Sequence, residues 1–143
     1  PAGDLGTPQM EQLLAERIVR SMPELLRQRR RLLAEHRAAL SELLDRHLPQ
    51  WTVPLPHGGL SLWVQLDRPA SSALTSLCEA RGIALVAGPK FSIDGAFERH
   101  IRLPFTSPIA DLGPGVLRIA DAWEQLTAGR TDRPAAPRLP AVV

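Results

Sequence analysis

Arg102 and His100 are the residues whose types and spacing best suit ligand chemistry in this 143-residue chain. They lie in the run 99–105, where they alternate with three apolar residues: Ile101, Leu103 and Phe105. A strand with this pattern turns its apolar side chains to one face and its polar ones to the other. A guanidinium can hold a carboxylate through two parallel hydrogen bonds, so Arg102 is a candidate carboxylate-binding residue. These residues alone favour the alternative, a structural ion pair or a cover over the sheet edge.

The other residues that could carry chemistry indicate structural roles. Gly58–Gly59 is too short for a phosphate-binding loop and is expected to form the turn of a hairpin. Lys90, the only lysine, is expected on the surface of a loop. Cys78, the only cysteine, is expected to be an inert thiol on the buried side of a short helix. The four histidines lie too far apart in sequence for a zinc motif.

The composition is that of an ordinary globular protein, with 44% hydrophobic and 22% charged residues and a formal net charge of +2. So small a charge does not indicate a nucleic-acid or membrane partner. No apolar run approaches the roughly 20 residues that cross a bilayer. A single cysteine excludes an internal disulfide and fits a reducing compartment, so we expect a cytoplasmic location. The first residues show no signal-peptide pattern and do not begin with methionine, which suggests a piece of a longer protein.

Helical periodicity predicts two leading helices within residues 8–48. Thr7 followed by proline is typical of a helix start, and Ser21 followed by Glu24 has capping-box spacing. A second helix is therefore predicted from about Pro23 to about His47. Its apolar stripe consists of leucines: Leu25, Leu26, Leu32, Leu33, Leu40, Leu43 and Leu44. Its other face is rich in arginine: Arg27, Arg29, Arg30, Arg31 and Arg37. Without a helix-turn-helix pattern, we expect that face to be solvated or to dock onto another domain.

Strands are predicted at 51–55, 60–66, 83–86 and 99–105, with the first two paired as a hairpin. Ser71 or Ser72 is predicted to cap a short helix that ends before Gly82, and Asp111 to cap a final helix. This order indicates an α+β fold, a long N-terminal helix plus a small antiparallel or mixed sheet with helices on one side. We assign residues 1–128 to one domain. Residues 129–143, rich in proline and arginine, are assigned to a flexible tail.

Three segments carry a resemblance to a known family: PHGGLSLW at 56–63, AGPKFSIDGAFE at 87–98 and HIRLPF at 100–105. Over about residues 6–126 the chain resembles the C-terminal small domain of fold-type I aminotransferases. It is most similar to the aminotransferase-like domains of MocR-type regulators in the GntR family of transcription factors. The resemblance implies that Arg102 binds the α-carboxylate of an amino-acid ligand. It makes His100, Gly58 and Gly59 possible neighbours in the cleft.

The same resemblance implies pyridoxal phosphate in a longer protein, held by a large domain that supplies the Schiff-base lysine. No cofactor and no activity are expected of this chain by itself, because nothing around Lys90 resembles that lysine's motif. For a regulator, the implied partners are a winged-helix DNA-binding domain of the same chain, an amino-acid or amine effector and a second copy, with no membrane. Two alternatives stay open: the small domain of a true aminotransferase, whose enzymatic activity the sequence leaves undecided, and a stand-alone binding module.

Overall fold

The computed structural model describes residues 8–131. They fall into two compact units, divided between Glu35 and His36. The assignment of residues 1–128 to one domain stays a prediction. The predicted cap Thr7 lies outside the described residues, as does most of the predicted tail. Within residues 8–131, none of the helices combines the length and the apolar composition that crossing a bilayer requires.

One continuous helix, α1 (Gln9–His47, 39 residues), replaces the two predicted leading helices. The predicted capping box at Ser21 is wrong, because its hydroxyl donates to backbone carbonyls of the preceding turn at 3.0 and 3.1 Å. Glu24 accepts a hydrogen bond from the Gln28 side chain instead. Pro23 lacks one backbone donor, which costs about 3 kcal/mol in a helix interior. Strong helix formers on both sides outweigh that cost, so the helix continues.

The unit that ends at Glu35 contains the first part of α1, where the apolar side chains are exposed: Met10, Leu13, Leu14, Ile18, Val19, Met22, Leu25, Leu26 and Leu32. The arginines at 27, 29, 30 and 31 are exposed as well, and Arg27 pairs with Glu24. The buried residues of α1 are instead His36, Leu40 and Leu44, all in the second unit. The predicted leucine stripe is therefore buried only at its C-terminal end.

The second unit contains a three-stranded antiparallel sheet in the order β1-β3-β2, with β1 at Ser61–Gln65, β2 at Val86–Ala87 and β3 at His100–Pro104. The predicted strand 51–55 is wrong, since only a bridge between Thr52 and Gln65 forms there. Pro54 in its middle offers no N–H for a ladder. The predicted strand 83–86 reaches the sheet only at its last residue, because the Ile83 N–H closes the preceding helix on the Cys78 carbonyl.

The inner face of this sheet is the core of the second unit. The residues predicted for the core are all buried: Leu62, Val64, Leu85, Ile101 and Leu103. Two helices complete the unit, α2 (Ser71–Glu79) and α3 (Ile109–Thr131), and they pack against each other. Helix α3 begins before Asp111, which lies in its first turn and not at its cap, and it continues past residue 128. The α+β arrangement is confirmed.

Helix α2 is capped from a distance. Neither Ser71 nor Ser72 caps it, because the N-cap residue is Ala70. The Glu98 carboxylate accepts the Ser72 backbone N–H at 2.9 Å and the Ser72 hydroxyl at 2.8 Å. A carboxylate at this end also favours the helix dipole. At the other end, Gly82, which the sequence predicts to follow the helix, has a left-handed backbone with φ +75°. The cap thus ties α2 to the residues that lead into β3.

Cys78 offers a test of the burial of α2. Burial raises the pKa of this thiol to about 11 from the ordinary 9.0, and nearby Arg81 offsets only part of that effect. At pH 8 we expect alkylation by iodoacetamide to be about a hundredfold slower in the folded chain than in urea, because the thiolate is the nucleophile. Mass spectrometry after quenching measures this. Since the unfolded thiol ionises first, stability should also fall between pH 9 and 11. Equal alkylation rates would contradict a buried Cys78.

Candidate functional site

The solvent-facing side of the sheet, here called the outer face, carries the predicted site. Register pairs Trp63 of β1 with Arg102 of β3, and Gln65 with His100. Ser61, at the start of β1, pairs with Pro104, at the end of β3. Arg102 is exposed while its neighbours Ile101 and Leu103 are buried. The alternation in 99–105 therefore predicted correctly which side chains leave the core.

Arg102 is held at one atom and free at the others. Its Nε donates to the Ser61 hydroxyl at 2.8 Å. No acidic side chain within residues 8–131 forms an ion pair with it. The two terminal amino groups of the guanidinium have no acceptor in that part of the chain. The structural ion pair, the alternative that the residues alone favoured, is thus not observed among the described residues. An oriented guanidinium with two free donors can receive a carboxylate.

Beside Arg102 lies an aromatic cluster made of Trp63, Phe91, Phe97 and His100. The Trp63 and His100 rings stack with centroids 5.3 Å apart and an interplanar angle of 11°. Phe91 and Phe97 meet the Trp63 ring edge-on at 5.3 and 5.9 Å. His100 therefore packs into this cluster and makes no hydrogen bond to Arg102. Its Nδ1 is buried and has no hydrogen-bond partner among the described residues.

The loop between β2 and β3 supplies both phenylalanines, and its own polar groups hold it. The Ser92 hydroxyl bonds the Asp94 carboxylate, and the Ala96 N–H donates to both side chains at 3.2 Å. The Ser92 hydroxyl, helped by the Ala96 N–H, lowers the pKa of Asp94. Phe97 has a left-handed backbone, with φ 67°, which is unusual for a bulky residue. The surrounding contacts impose that strain.

Gly88 fixes where this loop lies. A Cβ at Gly88 would stand 2.1 Å from the Phe97 carbonyl oxygen and 2.8 Å from that of His100. Only glycine permits so close an approach of two backbone segments. The approach places Phe97 beside the sheet and completes the aromatic cluster.

Gly58 and Gly59 lie in the bend that leads into β1, not in a hairpin turn. Gly59 has φ +93°, which favours glycine. Arg37, predicted on the arginine-rich solvated face, is half-buried and donates to the Pro56 carbonyl at 2.9 Å. Two residues after Gly59, Ser61 bonds Arg102. Gly58 and Gly59 therefore precede, in sequence, the end of the outer face that carries Ser61 and Arg102. His100 lies at the opposite end of that face.

The sequence prediction of site residues omitted four contributors: Ser61, Trp63, Phe91 and Phe97. The alternation in 60–66 already places Ser61 and Trp63 on one face. Their register opposite β3, and the position of the phenylalanines above them, come from long-range contacts.

Lys90 shows that the described residues do not build a pyridoxal phosphate site. A Schiff base with this cofactor needs a lysine amine. Lys90 is the only lysine in the chain, and it is exposed on a short 3-10 helix at Gly88–Phe91. For that cofactor the described residues thus offer one exposed amine and no buried lysine.

Solved structures of aminotransferases share this fold. The α-aminoadipate aminotransferase LysN of Thermus thermophilus, solved with N-(5'-phosphopyridoxyl)-L-leucine, matches 87% of the chain at 28% identity with a TM-score of 0.74. The kynurenine aminotransferase of Pyrococcus horikoshii matches 76% at 24% identity with a TM-score of 0.64. The multiple substrate aminotransferase of Thermococcus profundus matches 69% at 24% identity with a TM-score of 0.63.

The fold is aminotransferase-like. The chain spans only 33%, 27% and 25% of the length of those three proteins. No family model and no curated protein sequence matches it. The aminotransferase-like domain expected from the three sequence segments is confirmed at the level of fold.

Proposed function

We propose that this chain is the carboxylate-binding lobe of an aminotransferase-like domain that recognises an amino acid or an amine. The observation that carries the proposal is the Arg102 guanidinium, oriented by Ser61 and without an ion-pair partner among the described residues. The solved aminotransferases that match the chain support the same class of ligand. Pyridoxal phosphate is held by the rest of a longer protein, since the residues described here do not fit it.

The lobe acts through binding and orientation. Two donors of the planar guanidinium grip both oxygens of an α-carboxylate, which fixes the ligand's position and its direction. The Ser61 hydroxyl holds Nε, so less side-chain freedom is lost when the ligand binds. The inner face of β3 anchors the backbone of Arg102 in the core.

For the whole protein we propose the effector domain of a GntR/MocR-type transcriptional regulator, which senses an amino acid or an amine. The sequence AGP-x-F-x-x-D-G-x-F-E-R-x-x-R-L-P-F supports it. Such a protein has a PLP-binding large domain and a winged-helix DNA-binding domain in the same chain, and it acts as a cytoplasmic homodimer. The second candidate is the small domain of a true aminotransferase, favoured by the names of the matching structures.

Two observations on the native full-length protein separate these candidates. A winged-helix segment upstream in the gene, together with retardation of the gene's own promoter DNA in a gel, supports the regulator. Conversion of 2-oxoglutarate to glutamate with an amino-acid donor, in a protein that lacks such a segment, supports the enzyme.

Replacing Arg102 with alanine should weaken ligand binding by about 2–5 kcal/mol, because a carboxylate in a closed cleft loses its ionic partner. Arg102→Lys should recover part of the loss, since an ammonium cannot offer two parallel donors. Calorimetric titration of the full-length, cofactor-loaded protein with the twenty L-amino acids measures this.

Arg99→Ala is the matched control for Arg102. Arg99 is exposed next to the same strand, but its Nη1 donates to the Asp67 backbone carbonyl at 2.7 Å. Its loss should leave ligand affinity unchanged. Wild-type affinity in Arg102→Ala would refute the carboxylate clamp, and a large fall in its melting temperature would indicate a structural role.

A further inference from the structure

The outer face has two chemically different ends. Ser61 and Arg102 form a polar end, because the Arg102 side chain leans toward Ser61. The aromatic cluster forms the other end, with Trp63 stacked on His100. No guanidinium–ring contact joins Arg102 to Trp63, although the two residues are register partners. The guanidinium therefore leaves the exposed edges of the cluster uncovered.

The aromatic cluster is only partly closed. Phe91 and Phe97 each keep 48% of their surface exposed, although both meet Trp63 edge-on. The exposed ring surface next to an unpaired cation is an amphipathic site that can take an amphipathic ligand.

The spacing of the two ends fits one amino acid. Arg102 and the cluster residue Trp63 are register partners, and the Cβ atoms of such a cross-strand pair lie about 4.5–5.5 Å apart. In phenylalanine, three carbon–carbon bonds of about 1.5 Å separate the carboxylate carbon from the ring, so the ring extends about 4–7 Å from it. A carboxylate on Arg102 thus brings an aromatic or branched apolar side chain onto the cluster.

We propose that the aromatic cluster of Trp63, Phe91, Phe97 and His100 binds the ligand's side chain and selects α-amino or α-keto acids with aromatic or large apolar side chains. This inference rests on the proposed function, because Arg102 must hold the carboxylate. The loop carries two anions, Asp94 and Glu98, and two cations, Lys90 and Arg99, so its charges balance and the selection rests on the rings.

The test uses the full-length, cofactor-loaded protein that contains this chain, labelled with ¹⁵N and titrated with L-phenylalanine, L-alanine or L-glutamate. The Arg102 Nε–H and Trp63 indole N–H resonances report separately on the two ends of the outer face. We expect L-phenylalanine to shift both resonances and to bind about tenfold more tightly than L-alanine. L-alanine should shift Arg102 alone.

Phe91→Ala should reduce that preference to about threefold or less, since part of the apolar contact is lost. The matched control is Ile93→Ala on the same loop, because Ile93 is fully exposed and lies outside the cluster. It should keep the tenfold preference. Arg102→Ala should abolish the response to all three ligands.

Equal affinities for L-phenylalanine and L-alanine, with Arg102 still shifting, would overturn the side-chain inference and leave the carboxylate clamp standing. A preference for L-glutamate would overturn it as well. No shift of Arg102 with any of the three ligands would overturn the proposed function itself. Undiminished L-phenylalanine binding in Arg102→Ala would show that the cluster acts without the clamp.

Discussion

Replacing Gly88 with alanine is expected to lower the free energy of unfolding by more than about 2 kcal/mol. The new Cβ would lie 2.1 Å from the Phe97 carbonyl oxygen and 2.8 Å from the Phe97 Cβ. Backbone atoms cannot rotate away as the end of a flexible side chain can, so the loop must move. Urea titration monitored by circular dichroism measures the loss.

Gly58→Ala is the control for Gly88→Ala. No heavy atom lies within 4 Å of a Cβ at Gly58, and its φ is not positive. We expect a change within about 0.5 kcal/mol. If Gly88→Ala were as harmless as Gly58→Ala, the close approach of the loop to β2 would be wrong. The aromatic cluster would then lose the contact that places Phe97.

Phe105→Ala is expected to cost about 3–5 kcal/mol, because it removes a large side chain from the core and leaves a cavity. Phe105 is among the largest fully buried side chains of the second unit. Its backbone carbonyl lies 3.2 Å from Nδ1 of the buried His36 ring. Since a carbonyl only accepts, that nitrogen carries the hydrogen. Urea titration compares the variant with wild type.

Phe91→Ala serves as the matched control for Phe105→Ala, because it removes the same ring atoms from a residue that is 48% exposed. Its cost should be about half that of Phe105→Ala or less, because about half of the Phe91 surface is already in water. Similar losses in the two variants would contradict the assignment of Phe105 to the inner face. The comparison thereby also tests which face Arg102 occupies.

The sequence by itself determined the two faces of β3 and the carboxylate-binding candidate on one of them. Alternation is a local property of an extended chain, since successive side chains point to opposite sides. The buried positions of Ile101 and Leu103, and the exposed position of Arg102, followed from that rule alone. The three family-like segments likewise predicted the aminotransferase-like fold, because their residues and their order along the chain are visible in the sequence.

The helix boundaries could not be predicted from sequence where residues distant in the chain decide how a helix begins or continues. Ser21 and Glu24 have the spacing of a capping box, yet the helix continues through Pro23. Ser72 has the chemistry of a cap, yet Glu98, 26 residues away, supplies the carboxylate. Local spacing cannot show which donor a distant side chain will satisfy.

Only the tertiary structure decided what surrounds Arg102. Its pairing with Trp63 depends on the register of two strands about 40 residues apart, and its hydrogen bond to Ser61 follows from that register. The aromatic cluster depends further on the close approach of Gly88 to Phe97. Sequence periodicity assigns a side chain to a face, whereas strand register and loop packing, set by long-range contacts, select its neighbours on that face.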